Sequence, residues 1–478
     1  MCYTYIFISN VLQDVAAFKN KEEVKELPVS TDKPATTSPK SSTAQPSPSP
    51  HSPKWSSQRL PAQYVSEYNI KLTMKDLNHK NHIPYNGTVD ILVHVANSTD
   101  LIVLHAFNIN ISKVEILLHS SPTDSILSGY ETYDELQQLQ ISLKKPLDMG
   151  SNFTLQISFD ATLREDLHGF YRSVYTSPLD DEKAMAVTQF EATHARKAFP
   201  CFDEPDFKAR FKYSPEMSSY LVAIVVSELK HTQPLLIQST LNASQSIKIT
   251  LYGRENQLSQ LEFAKNVTAE VIKVFEQFFQ VAYPLPKLDI VAIPDFENGA
   301  MENWGLITFR ESALLYDPTL SSTNQQQWVT EVVAHELAHQ WFGNYVTMKW
   351  WNEVWLNEGF ATFVGEMIGT KTFAENQGYD WPVEENFLLS VTSAARVDSL
   401  HSSHALSRSA GSVESPSVID SMFDSISYTK GAAILRMLDS FVTRNVTQTA
   451  LQDYLNSHSY GNAEASDLWA SFDKVSCS

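Results

Sequence analysis

At Gly253 the spacing of apolar residues changes from every second position to every third or fourth, and few folds accommodate both halves of such a chain. Before it, Tyr68-Asn-Ile-Lys-Leu-Thr-Met74 and Gly87-Thr-Val-Asp-Ile-Leu-Val-His-Val95 alternate apolar with polar side chains, as strands with one buried face do. The stretches 101–105, 109–111, 153–159 and 219–226 continue that alternation. After it, Leu258, Leu261, Ala264, Val267, Val271, Val274, Phe275 and Phe278 recur at helical intervals and stop before Pro284. Short strands are expected at 288–293 and 306–309, and helices at 323–342, 356–368, 428–443 and 449–457. The pattern predicts an α+β multi-domain chain, with a β-rich domain over 59–253 and a mixed α/β domain over 254–478.

Residues 1–58 read differently. Between 27 and 57 the composition collapses to Pro, Ser, Thr and Lys, which cannot bury apolar surface, so a disordered leader and an extended stalk are expected. The apolar run 5–12 is interrupted by Ser9 and Asn10; it is too short to cross a bilayer and lacks the basic flank of a signal peptide. Asn-x-Ser/Thr sites nevertheless begin at Asn86, Asn97, Asn110, Asn152, Asn242, Asn266 and Asn445, which predicts N-glycans and a secretory-pathway or cell-surface location. Three cysteines, Cys2, Cys201 and Cys477, are too few and too scattered for a disulfide framework or a thiolate metal site. A net charge of −19 argues against a nucleic-acid partner.

The chemistry concentrates in His335-Glu336-Leu337-Ala338-His339, inside a helical pattern. Four residues turn a helix by about 400°, so the two imidazoles project from one face a turn apart, and Glu336 lies beside them where it can reach a water rather than the metal. Two surface histidines would read the same way from this motif alone. A third ligand is available from Glu358 in a second helical segment, with Glu353 and Glu331 as rival carboxylates by composition. A His, His, Glu set leaves one tetrahedral position open, the arrangement of catalytic rather than structural zinc. The implied reaction is amide hydrolysis with Glu336 as general base and acid.

Gly299-Ala-Met-Glu-Asn303 precedes Trp304-Gly305 and a strand. With the histidine motif and the spacing to Glu358, it resembles the zinc aminopeptidases of the aminopeptidase N and oxytocinase type. The resemblance covers nearly everything from Arg59 onward, and includes Gln189-Phe-Glu-Ala-Thr-His-Ala-Arg-Lys-Ala-Phe-Pro-Cys-Phe-Asp-Glu-Pro205. It implies a saddle-like β domain before a thermolysin-like catalytic domain, one zinc ion per chain, and peptide substrates with a free N-terminus. Glu302 and Glu191 match the positions that hold the substrate's amine, and Gly299, Ala300, Met301 and Asn303 the rest of the substrate-binding motif. Tyr428 is similar to the tyrosine that stabilises the oxyanion, although nineteen tyrosines compete for such a role. Gln189 and Phe423 match positions that shape the first side-chain pocket; Phe423 serves equally as core packing. Cys201 reads as a buried packing residue.

The pattern also departs from the family. Between Phe211 and Ser218 relatives carry further strands and turns, so unpaired sheet edges are expected. A membrane-spanning segment ahead of the stalk is missing, and the β-sandwich and helical domains with which relatives continue are absent from these 478 residues. An alternative expectation is therefore a weak or inactive shortened form that binds peptides or a partner; for the full-length family a homodimer is the expected assembly.

Overall fold

Strand Pro84–His94 sets the pattern of the N-terminal half: Tyr85, Gly87, Val89, Ile91 and Val93 turn inward, and the residues between them face out or lie half-buried. This computed structural model describes residues 5–8, 11–13, 52–62, 64–74, 77, 82–118, 126–179, 181–212 and 214–476. A side chain at Gly87 would stand 2.4 Å from the Phe159 ring, so the strand packs only with glycine there. Pro84–His94 lies between Tyr64–Met74 and Asn152–Thr162 in a six-stranded sheet that also holds Asn110–Leu118, Ala209–Phe211 and Glu216–Met217. A three-stranded sheet of Thr99–His105, Gln138–Leu147 and Leu127–Tyr133 and a five-stranded sheet led by Gly169–Thr176 and Glu182–Gln189 complete the β-rich part. Alternating apolar faces on stacked sheets share one core, as the period of two requires.

Near Phe211, where unpaired sheet edges are expected, Ala209–Phe211 is paired on both sides and Glu216–Met217 forms the outermost strand. Ala209 and Arg210 align with Met217 and Glu216 in a short hairpin, and Arg210 and Phe211 run parallel to Glu67 and Tyr68. The turn is pinned by Phe211 N donating to Ser214 Oγ at 3.0 Å.

The sheet of the C-terminal half begins earlier than the change of period. Ser246–Gly253 alternates like its predecessors, yet it pairs in parallel with Lys287–Ile293, which pairs in parallel with Leu306–Arg310. Lys230–His231 and Leu235–Gln238 join the same sheet, so strands within 230–253, whose alternation resembles that of the β domain, hydrogen-bond into the sheet of Lys287–Ile293. Periodicity reports which face of a strand is buried, not which sheet it enters. All seven residues of Lys287–Ile293 are buried, consistent with a strand covered on both faces. Ala300–Met301 forms an antiparallel edge beside Leu306–Arg310.

Helix Glu262–Phe279 packs on helix Thr323–Ala338. Ser322 caps the latter by accepting from Gln325 N, and the helix is released after His339 through Gly343 at φ +127°. Trp355–Val364, Gly431–Val442 and Arg444–Ser457 fall close to expectation. Helices Val383–Asp398 and Ala465–Ser476 were not expected, because their apolar positions are sparse and interspersed with Ser, Ala and Asp. The stretch 219–226 is divided between a 3-10 turn at Ser219–Leu221 and a strand at Ile224–Ser227.

Ahead of the β domain, Tyr5–Ile8 pairs antiparallel with Ile224–Ser227 and with Val11–Gln13, where the composition suggested a disordered leader. Most of the leader and stalk, 14–51, lies outside the described residues. Trp55 at the stalk's end is anchored, its backbone N–H donating to Gln140 Oε1 at 3.1 Å. No helix among the described residues is long and apolar enough to cross a membrane.

Candidate metal centre and substrate site

His335 and His339 lie one turn apart at the end of helix Thr323–Ala338, and helix Trp355–Val364 brings Glu358 across to them. The three donor atoms form a small triangle: 3.0 Å between the two Nε2 atoms, and 3.2 Å from each to Glu358 Oε2. A tetrahedral zinc with ligands at about 2.0–2.1 Å sets its donor atoms roughly 3.3 Å apart, so the triangle has the size such an ion requires. His339 Nδ1 donates to Phe342 O at 2.9 Å, which orients the ring with Nε2 facing the triangle. These three residues could hold a metal ion, and they are the one such group of His, Cys, Asp and Glu among the described residues. The rival carboxylates are engaged elsewhere: Glu353 Oε2 accepts from Ala465 N, and Glu331 Oε1 from Gln327 Nε2.

Three carboxylates surround the triangle, and each keeps one buried oxygen without a hydrogen-bond partner: Glu191 Oε1, Glu302 Oε1 and Glu336 Oε2. Buried polar atoms are rarely left in this state, and a cluster of acceptors alone calls for cations or donors from a ligand. Burial and mutual repulsion account for the electrostatics. Burial, then Glu302, Glu358 and Glu336, holds the Glu191 carboxyl well above the usual range. Burial pushes Glu302 up to about 6 against the pull of His339. Burial also raises Glu336, opposed by His339 and assisted by Glu302 and Glu358. Glu358 shows the reverse balance: burial would raise it, but His339 and the hydrogen bonds from both histidines bring it to about 2.

The Gly299–Asn303 segment is held from both domains. Asp295 leads into it, with Tyr171 OH donating to its carbonyl at 2.9 Å and Val174 N to its Oδ2 at 3.1 Å. Gly299 is exposed, with open space where a side chain would be, and its carbonyl accepts from Arg310 N at 2.9 Å. Ala300 and Met301 form the edge strand; Gln189 Nε2 donates to Met301 Sδ at 3.5 Å, and Gln189 Oε1 is unpartnered. Asn303 is fully buried and braces the turn, its Nδ2 donating to Thr308 Oγ1 at 3.1 Å. Glu302 Oε1 lies 3.8 Å from His339 Nδ1, which ties the motif to the metal helix.

Tyr428 stacks on His335 with ring centroids 6.1 Å apart and planes 9° from parallel. Burial, followed by Glu358, Glu191, Glu302 and Glu336, raises its phenol well above the ordinary value, so the hydroxyl stays a donor. Phe423 is half-buried, 5.8 Å from Trp351. Cys201 is buried and free.

Four further residues belong to this scaffold and were not singled out as site residues from the sequence. Asn344 Nδ2 and Gln340 Nε2 donate to Glu302 O at 2.8 and 3.1 Å. Asn357 Nδ2 donates to Tyr220 OH at 3.1 Å, and Tyr220 OH to Gly343 O at 3.2 Å. The available signal was proximity: Gln340 and Asn344 follow the histidine motif directly, and Asn357 precedes Glu358.

A β-rich domain joined to an α/β domain, with histidines one turn apart and a carboxylate from the next helix, has the architecture of the metallopeptidase class. Residues 263–477 match the family model of the Peptidase family M1 domain, and residues 65–234 that of the Peptidase M1 N-terminal domain. The chain belongs to peptidase family M1. It is 36% identical over 458 residues to endoplasmic reticulum aminopeptidase 1 of Rattus norvegicus, covering 87% of this chain and 47% of that protein. It is 40% identical over 425 residues to aminopeptidase M1-D of Oryza sativa subsp. japonica, covering 82% and 46%. With aminopeptidase N of Canis lupus familiaris the identity is 36% over 461 residues, covering 87% and 46%. The chain thus spans about half the length of the curated relatives it matches.

Proposed function

We propose that this chain is a zinc-dependent aminopeptidase that hydrolyses the N-terminal peptide bond of peptides. The carrying observation is the set of unpartnered carboxylate oxygens on Glu191, Glu302 and Glu336 beside the His335, His339, Glu358 triangle. One zinc ion per chain, held by those three ligands, would supply Lewis acidity toward the scissile carbonyl and toward a water.

The remaining work falls to the chain's own side chains. Glu336 takes the proton of the attacking water and passes it to the leaving amine; burial raises its carboxyl above the usual range, which strengthens it as a proton acceptor. Tyr428 donates its hydroxyl to the oxygen on which negative charge develops. Glu302 and Glu191 receive the substrate's ammonium group. Two such anchors set how far the scissile bond lies from the ligand triangle, so one residue is removed per cycle. The exposed edge at Gly299 and Ala300 pairs with the substrate backbone as an added strand, with Met301 and Asn303 keeping that edge in place. Gln189 and Phe423 meet the first side chain.

The proposal extends to location. The asparagines of all seven glycosylation sites are exposed, which supports N-glycans and a secretory-pathway or cell-surface setting.

The test is hydrolysis of aminoacyl-naphthylamides by the purified chain, with and without a chelator, alongside Glu336→Gln. Activity abolished by either change, and refusal of an N-acetylated peptide, are expected. Activity indifferent to both changes would refute the metal mechanism. A silent chain that still binds peptide would favour a binding role.

A further inference from the structure

Tyr428 sits in the turn Ile426–Lys430, which continues as helix Gly431–Val442, and Ser425, just before this turn, makes no side-chain capping hydrogen bond. The cap comes from Asp424. Its Oδ1 accepts from Ile426 N at 2.9 Å and from Ser427 N at 3.2 Å, and its backbone carbonyl accepts from Tyr428 N at 3.1 Å. One residue thus ties down three amides of the segment that carries the tyrosine. Its remaining oxygen, Oδ2, is held at 3.1 Å by His404 Nε2, and His404 Nδ1 faces Ala405 O at 2.8 Å. On the other side of the turn, Lys430 Nζ donates to Asp398 Oδ1 at 2.7 Å.

We infer that Asp424, steadied by His404, is the positioning residue for Tyr428: it fixes the turn so that the phenol meets the reacting oxygen without reorganisation. This inference rests on the oxyanion role proposed for Tyr428. The physical reason is that a hydrogen-bond donor accelerates a reaction only when it is aimed beforehand at the place where charge develops. Tyr428 stacks on His335 from a turn far along the sequence from the histidine helix, so its aim depends on how that turn starts. A carboxylate accepting from successive amides at the start of a helical segment satisfies N–H groups that have no intrahelical partner, and also complements the local dipole.

The test compares Asp424→Ala and Asp424→Asn, each in the parent chain and in Tyr428→Phe, by kcat, KM, zinc content and amide exchange across 424–430. Asp424→Ala should lower kcat about 10- to 100-fold, less than the roughly 100- to 1000-fold that removing an oxyanion donor outright costs, with KM changed less than about 3-fold and zinc retained. Exchange at Ile426 and Ser427 should accelerate. Asp424→Asn, which can still accept from both amides, should stay within about 3-fold of the parent. In Tyr428→Phe, Asp424→Ala should lower kcat by less than about 3-fold further, because the group it positions is gone. An undiminished loss in the Tyr428→Phe background, or unchanged exchange in Asp424→Ala, overturns the inference. Tyr428→Phe at parental kcat, with exchange still accelerated by Asp424→Ala, instead strikes down the role of Tyr428 and leaves the cap standing.

Discussion

Gly359 and Gly431 meet backbone to backbone: a side chain added at Gly359 would stand 3.0 Å from Gly431 Cα and 3.1 Å from Ser427 O. The contact joins the helix that carries Glu358 to the one that follows Tyr428, so the separation of these two site residues depends on two missing methyl groups. Gly359→Ala should force the helices apart, destabilise the chain by about 1–3 kcal/mol as an overpacked core does, and weaken zinc retention. Thermal unfolding and metal analysis of the purified variant provide the check; a parental midpoint with full zinc content would contradict it.

Glu302→Gln removes one charge from the proposed anchor for the substrate ammonium while preserving shape. Loss of a hydrogen bond to a charged group is worth roughly 1.5–3 kcal/mol, so kcat/KM for a free-amine substrate should fall roughly 10- to 150-fold. Discrimination against an N-acetylated substrate should narrow at the same time. Initial-rate kinetics on the paired substrates decide the point, and unchanged discrimination would count against the anchor.

Asn344→Ala leaves Glu302 O with Gln340 as its remaining donor. The variant should keep its zinc, since no ligand is touched, but KM should rise about 10-fold as the amine anchor loosens. A fall in zinc content at constant KM would place Asn344 in the metal scaffold instead.

Lys208 is buried between the domains, donating to Gly461 O at 2.7 Å and to Asn344 O at 3.4 Å. Burial pushes its ammonium down to about 7, opposed only by Glu216. Between about pH 7 and the ordinary lysine value near 10.4, the unfolded chain therefore binds a proton that the folded chain does not, and stability rises with pH. Below pH 7 both states are protonated and this slope vanishes. Denaturant unfolding from pH 7 to 10 should show Lys208→Met losing up to about 1.4 kcal/mol per pH unit of that slope relative to the parent. Parallel profiles would mean that Lys208 stays charged in the fold.

Much of this architecture was legible from spacing alone. The period of two anticipated Pro84–His94 and its neighbours, and the histidine motif lies on a helix capped by Ser322. Val383–Asp398 escaped because its stripe of Val383, Phe387, Val391 and Ala394 is narrow and Leu388 and Leu389 beside it are exposed. Ser246–Gly253 shows a different limit. Its residues alternate as the β domain does, but its hydrogen bonds go to Lys287–Ile293. The choice of partner strand is a matter of topology that side-chain patterning does not encode.

The site divides along the same line. His335, Glu336 and His339 are placed relative to one another by helix geometry, so their order along the chain was enough to bring them to one point. Glu358 stood out from Glu353 and Glu331 by its spacing from His339, but its 3.2 Å approach to both imidazoles is made by the packing of a second helix, and Glu191 reaches the site from the other domain. Contacts of that kind join residues that the helix repeat does not relate. They are set by how sheets and helices pack, as are the bare carboxylate oxygens of Glu191, Glu302 and Glu336. The chain's order supplied the chemical groups; packing closed them into one water-poor space, where their charges act on each other and on whatever binds.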